Sequence, residues 1–216
     1  MEPNPMGVLS TGTSLLCCVY DGGVVLGADC RVTTGQFIAG RAANKLGSLS
    51  SNVYCCQSGS LADTQIVVRY VRYYLDMHSV ELGKEINVAC AARLAAMLCY
   101  ENKEMLMAGL IVGGYDKQKG GTIYSIPIGG ALVQQNFAMG GSGSTYLYGW
   151  CDANYHPGMT KEQCEKFVIQ GLSHATARDG YSGGSVRTVT ISADGVAKQT
   201  HDCDTLPYLI TSNTVV

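Results

Sequence analysis

An uninterrupted run of apolar residues near the start of this chain places the strongest constraint on its fold. Val24, Val25 and Leu26 follow one another within the strand predicted from Gly23 to Ala28. A strand without polar alternation has to be covered on both faces. Asp21-Gly22, just before it, is a two-residue hairpin signal, so the preceding apolar segment is predicted to pair with it. The sheet that contains this strand therefore needs a further layer on each side.

The remaining chain alternates groups of strands with pairs of helices. Apolar runs separated by turn signals predict the strands: Ser14 to Tyr20, Gly23 to Ala28, Gln36 to Gly40, Asn52 to Gln57, Ala108 to Val112, Thr122 to Ile126, Ala131 to Gln134, Phe137 to Met139, Val186 to Ile191 and Val196 to His201. Gly120-Gly121, Gly129-Gly130 and Asp194-Gly195 are predicted turns, and Lys45 is predicted at the start of a strand.

Helices are predicted where apolar residues recur at helical spacing or where good helix formers dominate. The first helix starts at the N-cap Ser60 and has Ile66, Tyr70, Tyr73 and Met77 as its core stripe. The other three are predicted at Val88 to Tyr100, Thr145 to Asp152 and Thr160 to Arg178. Thr160 and Gln163 form a capping-box pattern. The order of elements predicts an α+β fold in one domain, a four-layer αββα sandwich of two antiparallel sheets between helix pairs.

Composition excludes several classes of function. The net charge of −2 over 216 residues indicates neither a nucleic-acid partner nor an anionic membrane. The longest apolar runs are too short to span a membrane, and residues 1–12 lack the features of a secretory signal. The ten cysteines show no C-x-x-C spacing and are expected as free thiols in a reducing compartment. The four histidines share no ligand spacing, so no metal or cofactor is expected.

A small set of polar residues could carry acyl-transfer chemistry. A threonine hydroxyl becomes a useful nucleophile when the freed α-amine of the same residue acts as its base. Thr13 would be that residue once the bond after Gly12 is cut, and Lys45 and Asp29 would be a charged pair that favours ionisation of the hydroxyl. The alternative is a threonine that starts a strand beside an ordinary structural ion pair. Spacing alone favours this alternative, because these residue types are common.

Several motifs in the same order resemble a catalytic β subunit of the 20S proteasome, an N-terminal-nucleophile hydrolase, and most of all its caspase-like type. The resemblance extends from Thr13 to about Pro207. It is carried by Thr13-Ser14, the segment from Asp21 to Arg31, Lys45, the segment from Ser58 to Gln65, Gly140-Gly141-Ser142-Gly143-Ser144 and the segment from Arg178 to Gly184.

The resemblance implies a threonine endopeptidase with a propeptide at 1–12 and a hydrolase domain at 13–216. It implies that the chain cuts itself after Gly12, that the Gly59 N–H binds the oxyanion, that Ser142 holds or relays a proton, and that Asp179 and Ser182 support the site. The residues alone favour a turn glycine as the explanation of Gly59, and a loop serine or helix cap as the explanation of Ser142.

Assembly and location also follow only from the resemblance. The implied partners are other α and β subunits in stacked heptameric rings, and the implied substrates are unfolded polypeptides. The implied location is the cytoplasm and nucleus, in ubiquitin-dependent degradation.

The resemblance implies a substrate pocket at Val32, Thr33, Gln57 and Leu61, with one departure from the family pattern. The caspase-like type usually carries an arginine where this chain has Gln57, and an arginine would pair with an acidic side chain bidentately. Glutamine is neutral, and Val32 makes one wall less polar than a threonine would. We therefore expect no strong preference for cutting after Asp or Glu, unless Arg31 or a neighbouring subunit compensates.

Three alternative interpretations compete with this one. The segment from Gly180 to Gly184 matches G-x-S-x-G, but that motif needs a strand before the serine and a helix after it, and the predicted order is reversed. A non-catalytic ring subunit is disfavoured because Thr13, Asp29 and Lys45 occur together. A small-molecule amidase or acylase of the N-terminal-nucleophile group remains an alternative.

Overall fold

The computed structural model describes residues 12–207. The predicted propeptide therefore lies outside the described residues except for Gly12, as do the last residues of the predicted domain. The described strands are β1 Leu15–Tyr20, β2 Gly23–Asp29, β3 Val32–Thr34, β4 Phe37–Gly40, β5 Leu46–Ser48, β6 Val53–Gly59, β7 Ala108–Asp116, β8 Gly120–Ile126, β9 Val133–Gln135, β10 Phe137–Gly140, β11 Val186–Ser192 and β12 Gly195–His201.

The described helices fall into two pairs. They are α1 Leu61–Leu82, α2 Val88–Glu101, α3 Tyr148–Asn154 and α4 Lys161–Arg178, with short 3-10 helices at Ser142–Tyr146 and Cys203–Thr205. None of the helices formed by residues 12–207 has the length and apolar character needed to cross a bilayer.

Two antiparallel sheets form the centre of the fold. The first has the strand order β10-β1-β2-β11-β12, the second has the order β5-β6-β7-β8-β9, and β3 and β4 form a separate hairpin. One apolar cluster fills the space between the two sheets, a second joins the first sheet to α3 and α4, and a third joins the second sheet to α1 and α2. The predicted four-layer α+β sandwich is confirmed.

Strand β2 shows why the layers are needed. All seven of its residues are buried, as the unbroken apolar run predicts. Gly27 faces α4, where a Cβ would overlap with the side chains of Val168 and Leu172, so the absence of a side chain lets the helix lie close to the strand. Asp29 ends this strand and is thereby held inside the protein.

The predicted helix starts at Ser60 and Thr160 are confirmed. The Ser60 hydroxyl accepts a hydrogen bond from the Asp63 N–H, and Thr160 and Gln163 form both bonds of a capping box. These bonds satisfy backbone donors that have no partner within the first turn of a helix.

The predicted core stripe of α1 is wrong. Ile66, Tyr70, Tyr73 and Met77 are exposed, and the buried face of the helix carries Thr64, Val67, Val71 and Leu75. Apolar residues occur on both faces of this helix, and the smaller β-branched and leucine side chains are the ones that pack on the second sheet.

Two further details differ from the predicted pattern. Gly120 and Gly121 lie within β8 rather than in the turn before it, because Asp116 forms that turn by accepting hydrogen bonds from the N–H groups of Gln118 and Lys119. The helix predicted from Thr145 instead begins as a 3-10 turn at Ser142 and continues as α3.

Candidate active site

Thr13 is separated from the start of β1 by Ser14 and is almost fully buried. Its hydroxyl donates a hydrogen bond to the carbonyl oxygen of Gly12, with an oxygen–oxygen distance of 2.7 Å. The ammonium group of Lys45 donates to the same carbonyl at 2.9 Å and also lies 3.1 Å from Thr13 Oγ1. The hydroxyl and the carbonyl of the bond that precedes it are therefore held together by one buried cation.

Asp29 is the counter-ion of that cation. Its Oδ1 lies 2.7 Å from Lys45 Nζ, and both side chains are buried. Burial lowers the pKa of the Lys45 ammonium below its ordinary value of 10.5, and the carboxylate of Asp29 opposes this effect. Asp29 is itself oriented by backbone N–H groups that donate to its carboxylate, those of Ser14, Arg31 and Gly183.

A second polar chain reaches Thr13 from its nitrogen. The Thr13 N–H donates to Ser142 Oγ at 3.1 Å, and Ser142 donates to Asp179 Oδ2 at 2.6 Å. Ser182 donates to the same carboxylate oxygen at 2.6 Å and accepts from the Ser14 hydroxyl at 2.8 Å. Asp179 is the C-cap residue of α4, so the end of that helix places a carboxylate behind the Thr13 nitrogen.

Gly59 ends β6 just before the N-cap of α1. Its φ of +98° lies in the region that favours glycine, and a Cβ there would overlap with the carbonyl of Met107. The backbone conformation and the close contact with Met107 therefore require glycine at this position.

Two of the predicted pocket residues, Thr33 and Gln57, make hydrogen bonds to Gly12 and Lys45. The buried Thr33 Oγ1 accepts a hydrogen bond from the Gly12 N–H at 3.0 Å, and Val32 precedes it in β3. The Gln57 N–H donates to the Lys45 carbonyl, and its buried side-chain Oε1 has no hydrogen-bond partner among the described residues. Leu61 is the first residue of α1.

Residues between the end of α4 and β11 contribute contacts that sequence reasoning did not single out. A Cβ on Gly12 would overlap with Tyr181, and Gly183 reaches Asp29. Arg31 is the cation that could compensate for the neutral Gln57, and its guanidinium donates a hydrogen bond to the Gly180 carbonyl. Helix precedes this loop and strand follows it, so the reversed G-x-S-x-G context is confirmed.

Ser14 is the other missed residue. A Cβ on Gly143 would overlap with Ser14 Oγ, so the glycine-rich turn at Ser142 leaves room for the Ser14–Ser182 bond. No local pattern indicates this pairing, because the two serines are 168 positions apart. Among residues 12–207, no group of three or more His, Cys, Asp or Glu side chains is arranged to hold a metal ion.

Comparison with known proteins supplies the family context. The sequence profile described as "Proteasome subunit" matches residues 9–191. The chain is 52% identical over 196 residues to proteasome subunit beta type-6 of Dictyostelium discoideum, covering 91% of this chain and 92% of that protein. It is also 52% identical to proteasome subunit beta type-6 of Arabidopsis thaliana, covering 91% and 84%. It is 43% identical to proteasome subunit beta type-1 of Saccharomyces cerevisiae, covering 89% of each.

Proposed function

Because this chain belongs to the proteasome β-subunit family, we propose that it is a catalytic member, a threonine endopeptidase subunit of the 20S core. Thr13 is the nucleophile, and it becomes active when residues 1–12 are removed. The contact of Lys45 Nζ with both Thr13 Oγ1 and the Gly12 carbonyl is the observation that carries the proposal. A subunit with a purely structural role has no need of a buried cation at that hydroxyl.

Self-cleavage is the first reaction. Thr13 Oγ attacks the carbonyl carbon of Gly12, the Gly12–Thr13 C–N bond breaks as the nitrogen takes up a proton, and an ester joins Gly12 to Thr13 Oγ. Water then hydrolyses the ester, which releases residues 1–12 with a new carboxylate and leaves a free amine on Thr13. The positive charge of Lys45 stabilises the negative charge that develops on Thr13 Oγ.

Proteolysis uses the liberated amine. The Thr13 amine removes the proton of its own hydroxyl, and Oγ attacks the carbonyl carbon of the substrate peptide. The Gly59 N–H donates to the oxyanion. The tetrahedral intermediate collapses to an acyl enzyme as the Thr13 ammonium protonates the leaving nitrogen, and water then hydrolyses the ester. Ser142 and Asp179, supported by Ser182, hold the amine and stabilise its protonated form.

Specificity depends on the pocket beside the nucleophile. Val32, Thr33, Gln57 and Leu61 receive the residue before the cut. In this proposal the chain assembles with other α and β subunits in stacked heptameric rings. The assembly acts on unfolded polypeptides in the cytoplasm and nucleus.

Intact mass measurement after treatment with an epoxyketone directed at N-terminal threonine tests the proposal. The expected product is a chain that starts at Thr13 and carries one inhibitor adduct, and a Thr13→Ala chain should carry none. A working enzyme whose sequence begins at Met1, or a Thr13→Ala particle with undiminished cleavage by this subunit, would refute it. A dimer that deacylates metabolites, instead of a large ring particle that degrades peptides, would favour the amidase alternative.

A further inference from the structure

A cavity of about 420 Å³ opens beside the candidate active site. Gly59 and Ser142 lie in its wall, whereas Val32, Thr33 and Gln57 do not. Its volume is in the range of cavities that bind small ligands or side chains. It therefore adjoins the nucleophile without being the pocket for the residue before the cut.

The Gly12–Thr13 bond shows which half of a peptide lies on which side. When this bond breaks, Gly12 becomes the acyl half and the Thr13 nitrogen is the leaving group. The nitrogen of Gly12 contacts Thr33, and the nitrogen of Thr13 contacts Ser142. The acyl half thus lies toward Thr33, and the leaving nitrogen lies toward Ser142 and the cavity.

The same assignment holds for a substrate in trans. The leaving nitrogen of the substrate has to come close to the Thr13 amine to receive its proton. Since that amine faces Ser142, the peptide that follows the cut begins on the cavity side.

The cavity wall is predominantly apolar. Met107, Pro127, Ile128 and Met139 line it with apolar side chains that are at least partly exposed, Ile128 at 60%, and no lining side chain carries a formal charge. Such a wall gains free energy from an apolar side chain and disfavours a charged one that would lose its water.

We propose that this cavity binds an apolar side chain within the first residues after the scissile bond, and so selects substrates by the segment that leaves first. The inference rests on the proposed function, because it assumes that Thr13 cleaves peptides in trans. It adds a specificity site for the leaving half of the substrate, distinct from the pocket that contains Gln57.

Internally quenched peptides test the inference on the assembled particle, purified through a tag on this chain. The peptides share one sequence up to the cut and carry Leu, Gly or Glu in the first two positions after it. Activity of this chain is counted as the part that is lost in a Thr13→Ala particle. We expect kcat/KM for the Leu peptides to exceed that for the Gly or Glu peptides by about tenfold to a hundredfold, the range that an apolar pocket provides.

Variants at the rim localise the effect. Ile128→Asp should remove most of the preference for Leu, and Ile128→Ser, a milder change in case the aspartate prevents assembly, should reduce it. Leu132→Asp is the matched control, because Leu132 is also partly exposed and nearby in sequence but does not line the cavity. The rate of reaction with an epoxyketone, which occupies only the acyl side, should be the same in wild type, Ile128→Ser and Leu132→Asp.

Failure of the cavity proposal and failure of the proposed function give different experimental results. If the wild-type particle forms the epoxyketone adduct but cleaves all three peptide classes equally, the cavity has no role in selection. The same conclusion follows if Ile128→Ser and Leu132→Asp alter the preference equally. If no adduct forms on Thr13 at all, the proposed function itself is wrong.

Discussion

Lys45 Nζ lies 2.7 Å from Asp29 Oδ1 in a part of the protein where both side chains are shielded from solvent. The pair also touches the hydroxyl of Thr13 through Lys45. A buried ion pair is a weak source of stability by itself, but a single charge left behind in the interior is costly. The consequence of losing Asp29 is therefore larger than the value of the pair as such.

Asp29→Asn should destabilise the chain by about 3 kcal/mol or more, because Lys45 would remain buried without its counter-ion. Urea unfolding measures the change in the free energy of unfolding. Asp76→Asn is the control, since the Arg72–Asp76 pair is 4.0 Å apart and exposed; its loss should cost less than about 1 kcal/mol. Equal costs for the two variants would contradict this account of the buried pair.

Gly12→Ala should slow the removal of residues 1–12. A Cβ at Gly12 would overlap with the Cβ and the carbonyl group of Tyr181, so the carbonyl that Thr13 attacks has to shift. A displacement of about 1 Å in a reacting group costs on the order of 100-fold in rate. Mass spectrometry of chains sampled during assembly gives the fraction that starts at Thr13. Gly149→Ala, where a Cβ meets nothing within 4 Å, should process normally, and normal processing of both variants would show that the overlap does not matter.

Local signals predicted the fold well. The caps at Ser60 and Thr160 depend on residues three positions apart, and the burial of β2 depends on consecutive apolar residues. The predicted stripe of α1 is wrong because both faces of the helix carry apolar residues, and only the position of the second sheet decides which face is buried. Local sequence does not contain that position.

Only part of the candidate active site could be predicted from the sequence. Thr13, Asp29 and Lys45 lie on different elements, so spacing could not separate a nucleophilic site from a structural ion pair, and the resemblance to a family provided the distinction. The bond between Ser14 and Ser182 joins residues that are distant in sequence. It becomes visible only once β1 and the loop after α4 are folded together.

Gln57→Arg should increase the preference for cutting after Asp or Glu by about tenfold or more, because a hydrogen bond to a charged group is worth about 1.5–3 kcal/mol. The wild-type protein should show no strong preference for acidic residues, since the buried amide of Gln57 is neutral. Cleavage profiling with peptides that vary only before the cut measures both. Gln118→Arg, an exposed change outside the site, should leave the profile unaltered. A clear acidic preference in the wild type would overturn the expectation.

Asp179→Asn should move the acidic limb of the pH profile of kcat/KM to lower pH by about one unit. The carboxylate of Asp179 reaches the Thr13 nitrogen through Ser142, and a nearby negative charge favours the protonated amine. Without that charge the pKa of the amine falls, so the amine becomes available as a base at lower pH. Ser182→Ala is the matched control, because it removes one hydrogen bond to Asp179 but keeps the charge. A limb that stays in place in Asp179→Asn, or that moves equally in Ser182→Ala, would restrict Asp179 to a structural role.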